Sequence, residues 1–149
     1  MLDQVQSDSG ITAVAHVIQL AVAPVFLLSG IGAMLAVMTN RLARVIDRAR
    51  LLEAQLPGKP GDAESIHEQL ATLSRRAKLV GRSITLCTIT ALLVCAVIAI
   101  LFLSAFLGFD ASVSVALLFV AAMLAFFAGL LSFLREIFLA TASLRIGPH

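Results

Sequence analysis

Apolar residues run through this chain in long blocks whose edges are abrupt. No residue from Val17 to Met38 is charged, and that run stops at Asn40-Arg41. From Ser83 to Leu134, Asp110 is the only charged side chain. A helix crosses about 30 Å of hydrocarbon in about 20 residues. The first block therefore predicts one membrane span, and the second predicts two, parted by a tight turn at Gly108-Phe109-Asp110. The aspartate there is placed to cap the helix that follows.

Between the first and second spans the pattern becomes more polar but stays helical. Leu42, Val45, Ala49, Leu52 and Leu56 recur at alternating steps of three and four, and so do Ile66, Leu70, Leu73, Ala77 and Val80. This is the spacing of a coiled-coil seam. The segment PGKPG at 57–61 stops one helix and turns the chain. Asp62 then offers an N-cap, with Ser65 and Glu68 as an alternative capping box. Folding back antiparallel at that turn would pair Leu52 with Ile66, Ala49 with Leu70, Val45 with Leu73 and Leu42 with Ala77, a single consistent register. Apart from Gly81, nothing breaks the helices between this hairpin and the spans. The prediction is two helices of about 45 residues, projecting roughly 20 to 25 Å beyond the membrane. Ile46, Leu51 and Leu79 lie off the seam, so they need another cover: the C-terminal stretch 133–147, with apolar Ile137, Phe138, Leu144 and Ile146, or a neighbouring subunit.

Charge orients the spans. Of the eleven Lys and Arg residues, those between 41 and 82 and the pair Arg135 and Arg145 account for all; the first ten residues and the turn near Asp110 have none. Basic residues mark the cytoplasmic side of short loops. The expected fold is thus all-α and polytopic. It comprises an external segment at 1–10, transmembrane helices at 11–40, 83–108 and 111–134, a cytoplasmic helical hairpin at 41–82, and a cytoplasmic segment at 135–149. MLDQVQSDSG lacks the positive n-region of a cleavable signal, so the first span is expected to be retained. A composition of 60% hydrophobic and 13% charged residues fits this reading, since soluble domains carry about 25% charged residues. With neither Trp nor Tyr, anchoring at the interfaces falls mainly to arginine.

Arg41, Arg44, Arg48, Arg75, Arg76, Lys78 and Arg82 form a basic band at the hairpin's base, with Arg50 nearby and Asp47 as the opposing charge. Acidic residues gather nearer its tip. At headgroup level each basic residue attracts anionic lipid by about 1 kcal/mol, so the band reads as an anchor on anionic lipids, or as the site of a specific anion. Asp47 is helix-spaced for weak pairs with Arg44 and Arg50.

Within the spans, His16 and Gln19 fall at the outer interface and read as an interfacial polar pair; an intramembrane histidine is otherwise a relay or ligand, but no second ligand is near. Pro24 predicts a kink, and Ser29, Gly30, Gly32, Ala33 and Ala36 form a small-residue surface for helix packing or, alternatively, a gate. Gly81, Thr85, Thr88 and Cys95 share a stripe suited to helix contact, or to lining a pore. Cys87 and Cys95 are too far apart along one helix to bond to each other, and each reads as a small apolar side chain. No phosphate loop, paired intramembrane carboxylates or nucleophile with a base is present, so no catalytic residue, metal site or cofactor is expected.

The stretches APVFLLSGIGAMLAVMTNRLARVIDRAR, LSRRAKLVGRSI and FLREIFLATASLRIG together resemble the membrane proteins catalogued as the domain of unknown function 2721 family, over roughly residues 12–147. The resemblance implies a small multi-span protein of the bacterial inner membrane and transfers no catalytic residue. The expected function is a non-enzymatic oligomeric scaffold or accessory subunit whose hairpin docks a partner or lipid. The alternative is a small homo-oligomeric, anion-favouring channel or transporter. The expected partners are anionic lipids on the cytoplasmic side and further copies of the chain, not nucleic acid.

Overall fold

The computed structural model describes residues 2–55, 58, 61 and 63–142. Leu56, Pro57, Lys59, Pro60, Asp62, Leu144, Arg145 and Ile146, which carried part of the expected turn, seam and tail, lie outside the described residues. The fold is all-helical: α1 at Leu2–Gln55, α2 at Ala63–Leu107 and α3 at Ser112–Ala142. All three helices are long and apolar enough to cross a membrane.

α1 starts at Leu2, within the segment expected to lie outside, and stays helical through Pro24 to Gln55. The opening segment contains no proline, and its glycine at position 10 costs a helix only about 1 kcal/mol. α2 begins at Ala63, so Ser65 already lies inside the helix and the alternative start there is not adopted. The α2–α3 turn is closed locally. Gly108 takes a left-handed φ of 70°, as a helix C-terminal glycine does, and its amide donates to the Ser104 carbonyl at 2.9 Å. The Ser112 amide donates to Asp110 Oδ1 at 3.0 Å, and the Ser112 hydroxyl donates to the same oxygen. Those hydrogen bonds hold the Asp110 carboxyl below the usual carboxylate range. Asp110 is thus the cap of α3.

The chain divides into two compact units. In the first, Met1–Ala33 with Ile89–Ala125, the buried residues include Val17, Ala21, Pro24 and Ile31 of α1, Thr90, Val94 and Val97 of α2, and Ala122 of α3. In the second, Met34–Thr88 with Phe126–His149, they include Met38 and Val45 of α1, Ile66, Leu73, Val80, Ser83 and Cys87 of α2, and Phe133 and Glu136 of α3. Each described position of the two expected seams is buried or half-buried.

Burial follows one period along whole helices. On α1 the buried and half-buried series Val17, Ala21, Pro24, Leu28, Ile31, Leu35, Met38, Leu42, Val45, Ala49, Leu52 never departs from alternating steps of four and three. On α2 the same alternation holds from Ile66 to Val80 and again from Ser83 to Val97, with one shortened step between Val80 and Ser83, next to Gly81. Such a slip of register is how helices re-phase a packing face.

Candidate anion site

The second unit holds a charged cluster built from all three helices. Arg41 lies three residues after buried Met38, Arg76 three after buried Leu73, and Glu136 three after buried Phe133. One helical turn separates each charged residue from its apolar neighbour, so all three project from the packed faces. Glu136 is 1% exposed, and its two carboxylate oxygens are divided between the arginines. Arg41 Nη1 donates to Oε2 at 3.0 Å; Arg76 donates to Oε1 from Nη2 at 3.0 Å and from Nε at 3.3 Å. The Arg41 guanidinium also lies over the Phe133 ring, 5.4 Å from its centroid, within cation–π range.

A buried carboxylate is tolerated only when paired and hydrogen-bonded. Among the described residues no buried side-chain nitrogen or oxygen lacks a partner. The arginines keep contact with solvent, their side chains being 37% and 22% exposed for Arg41 and Arg76. The cluster is therefore a carboxylate enclosed by the protein and clasped by two cations that still reach outward.

Beside it opens a cavity of about 220 Å³, lined by Arg41, Arg44, Arg48, Arg76 and Glu136 with Val45 and Leu73 as its apolar wall. Four guanidiniums face a single carboxylate there. Arg44 and Arg48 are exposed and form the rim.

The structure brings together four of the seven band residues. Arg75, Lys78 and Arg82 are exposed and lie away from this cavity's lining. Thr85 and Thr88 are exposed, and each hydroxyl donates to its own helix, Thr85 to the Gly81 carbonyl at 3.0 Å and Thr88 to the Ile84 carbonyl at 2.9 Å. Cys95 is exposed as well, whereas Cys87 is buried with its sulfur 4.0 Å from that of Met38. His16 and Gln19 are exposed on α1. The small-residue surface, Ser29, Gly30, Gly32, Ala33 and Ala36, is exposed throughout, and a Cβ added at Gly30 or Gly32 would meet nothing within 4 Å. The close helix approach lies instead at Gly129 of α3, where a Cβ would stand 3.3 Å from both Cys87 Sγ and Leu86 Cβ. Ile46 and Leu51 are exposed, at 39% and 66%, and Leu79 is half-buried.

Glu136 is the member of this cluster that pattern reading misses. In the sequence it stands beside Arg135 at the charged exit of the third span, and nothing in chain order sets it against the basic band. The signal that finds it is periodicity: Ala122, Phe126, Gly129, Phe133, Glu136 and Ala140 follow the four-three alternation of a packing face and are buried or half-buried, which puts a carboxylate on the face where only apolar or small residues are expected.

Comparison with known proteins brings no activity to this chain. Residues 21–146 match the family described as "Protein of unknown function (DUF2721)". No curated protein and no solved structure matches the chain.

Proposed function

We propose a function from geometry for this chain, which belongs to the DUF2721 family of proteins of unknown function: it is a non-enzymatic, oligomeric membrane scaffold or accessory subunit. Its N-terminus lies outside the cell's inner membrane and the 41–82 segment lies in the cytoplasm as a paired helical stalk. The observation that supports this most is the continuity of the packed face on α1, which runs from Val17 in the apolar block to Leu52 beyond the arginines without a change of period. A helix that stays packed past the membrane exit carries a rigid platform rather than a loose loop. The basic band at its base anchors that platform on anionic headgroups.

Oligomerisation is supported by the outward small-residue surface around Gly30 and by the exposure of Ile46 and Leu51, which lie past the apolar block. Small residues let helices of separate chains approach closely in lipid. The test is cross-linking of the full chain in its native membrane, followed by mass measurement in mild detergent. A defined oligomer is expected, and a monomer under every mild condition would end the scaffold reading. A reporter fused at Lys59 should be active only on the cytoplasmic side; periplasmic activity would invert the topology.

One observation favours a channel or transporter instead. Thr85, Thr88 and Cys95 face outward from the single chain, so a polar path lined by them would have to run between copies. Ion flux into proteoliposomes that changes with Thr88→Leu is the outcome that reading requires.

A further inference from the structure

We infer that the cavity beside Glu136 is a binding site for a phosphomonoester dianion, presented by a lipid headgroup or by free phosphate. This deepens the scaffold reading and rests on its placement of the basic band at headgroup level. Three observations converge on it.

The first is unspent hydrogen-bonding capacity. Each guanidinium carries five N–H donors in a planar fork. Glu136 engages one nitrogen of Arg41 and two of Arg76, leaving further donors on both. Arg44 and Arg48 add two more guanidiniums at the rim. Guanidinium forks match phosphate oxygens bidentately, which ammonium groups do not.

The second is preorganisation. Glu136 is enclosed and fixes both arginines from behind, and Phe133 supports Arg41 from one face. A ligand meeting groups already held in place loses less side-chain freedom on binding.

The third is charge and size. Four arginines against one carboxylate leave an excess of positive charge that a singly charged phosphodiester balances poorly, whereas a phosphomonoester carries about −1.5 to −2 near neutral pH. The cavity's volume of about 220 Å³ is well above the roughly 10–15 Å³ that one water needs, so it admits a headgroup. Its apolar wall, Val45 and Leu73, suits the carbon side of an ester. Arg41 is also the first charged residue after the α1 apolar block, which puts the site where a headgroup would be.

The experiment is native mass spectrometry of the full chain in mild detergent with dioleoyl phosphatidic acid, dioleoyl phosphatidylglycerol or dioleoyl phosphatidylcholine at matched concentrations. Phosphatidic acid should be retained about tenfold over phosphatidylglycerol, the ratio one additional charge-assisted interaction supplies. Arg44→Gln combined with Arg48→Gln should abolish that preference while helicity is unchanged, because neither residue pairs with Glu136. Arg75→Gln combined with Lys78→Gln should leave it intact. Excess inorganic phosphate then identifies the source: displacement of the lipid assigns the site to free phosphate, and persistence of the lipid assigns it to the headgroup, either of which upholds the site. Equal retention of the two anionic lipids, or equal loss in both double variants, would overturn it. A purely monomeric chain would defeat the scaffold reading and leave this ratio unaffected, so the two failures are distinguishable.

Discussion

Glu136→Gln removes one charge from the clasp while keeping the side chain's volume and one acceptor oxygen. In the native protein the carboxylate accepts three hydrogen bonds from two arginines and is 1% exposed. Hydrogen bonds involving an ionised group contribute about 1.5–3 kcal/mol, and breaking a fully buried ion pair costs about 3–5 kcal/mol because a charge is left stranded. Here the stranded charges are not fully enclosed. With side chains 37% and 22% exposed, Arg41 and Arg76 recover part of their hydration, which discounts the figure to about 2 kcal/mol. The retained amide carbonyl still serves one of them.

The assay is equilibrium unfolding of the full chain in mixed micelles, with increasing dodecyl sulfate and helicity as the signal. Glu53→Gln, at an exposed position on α1, is the control and should stay within about 0.5 kcal/mol of the parent. Pairing Glu136→Gln with Arg76→Gln should give a coupling of about 1 kcal/mol or more, since residues sharing an ion pair are not additive. A Glu136→Gln variant no less stable than the Glu53→Gln control would refute the reasoning, because the clasp would then hold nothing together.

Gly129→Leu should destabilise the chain by about 1–3 kcal/mol in the same unfolding assay, because a side chain there runs into Cys87 and Leu86; Gly30→Leu should leave monomer stability unchanged. In detergent, N-ethylmaleimide should modify exposed Cys95 well before buried Cys87, as mass spectrometry of the peptides would show; the reverse order would contradict the packing of α2. The Asp110 cap should depend on pH in one direction. Because its carboxyl is held below the usual range by Ser112, its stabilising contribution is complete above that range and is lost as pH falls through the lowered folded value. Protection of the Ser112 amide, measured against its intrinsic exchange rate at each pH, should therefore fall only in acid, and Asp110→Ala should fray the start of α3 at every pH where the native carboxyl is ionised.

The all-helical architecture and the three apolar helices were legible because hydrocarbon thickness leaves so few ways to arrange such a chain. So was the role of Asp110, since a turn too short for any other element leaves a lone aspartate beside the amides it can cap. The packing faces were legible only in part. Period is visible in the polar segment, where apolar residues stand out, and hidden in the spans, where nearly every residue is apolar and the pattern shows only in burial. The small residues on α1 show a related limit: size says that a helix can approach closely there, but not whether its own chain or another copy supplies the partner. At Gly129 the chain does supply it, from α2. The charge cluster was missed because Arg41, Arg76 and Glu136 are far apart in sequence, and only the three-helix arrangement of the second unit brings them together.

Three charged residues on a packed face are a poor way to gain stability, since an apolar replacement of similar volume is often as good. Their effect is better sought in register. Apolar helix faces in lipid discriminate weakly between one alignment and another, because lipid tails are as apolar as the side chains they replace. Sliding α3 by one turn, about 5.4 Å, would exchange one small or apolar contact for another along most of that face. It would separate Glu136 from both arginines at once. Replacing the cluster by Arg41→Met, Arg76→Leu and Glu136→Leu should therefore preserve unfolding stability to within about 1 kcal/mol and loosen alignment. The native contact between Gly129 and Cys87 offers a readout. With Gly129→Cys in a Cys95→Ser background, mild oxidation should cross-link positions 87 and 129 efficiently when the clasp is intact, and markedly less when it is apolar. Equal cross-linking in both backgrounds would show that the apolar face sets its own register and that the charges are held there for the anion alone.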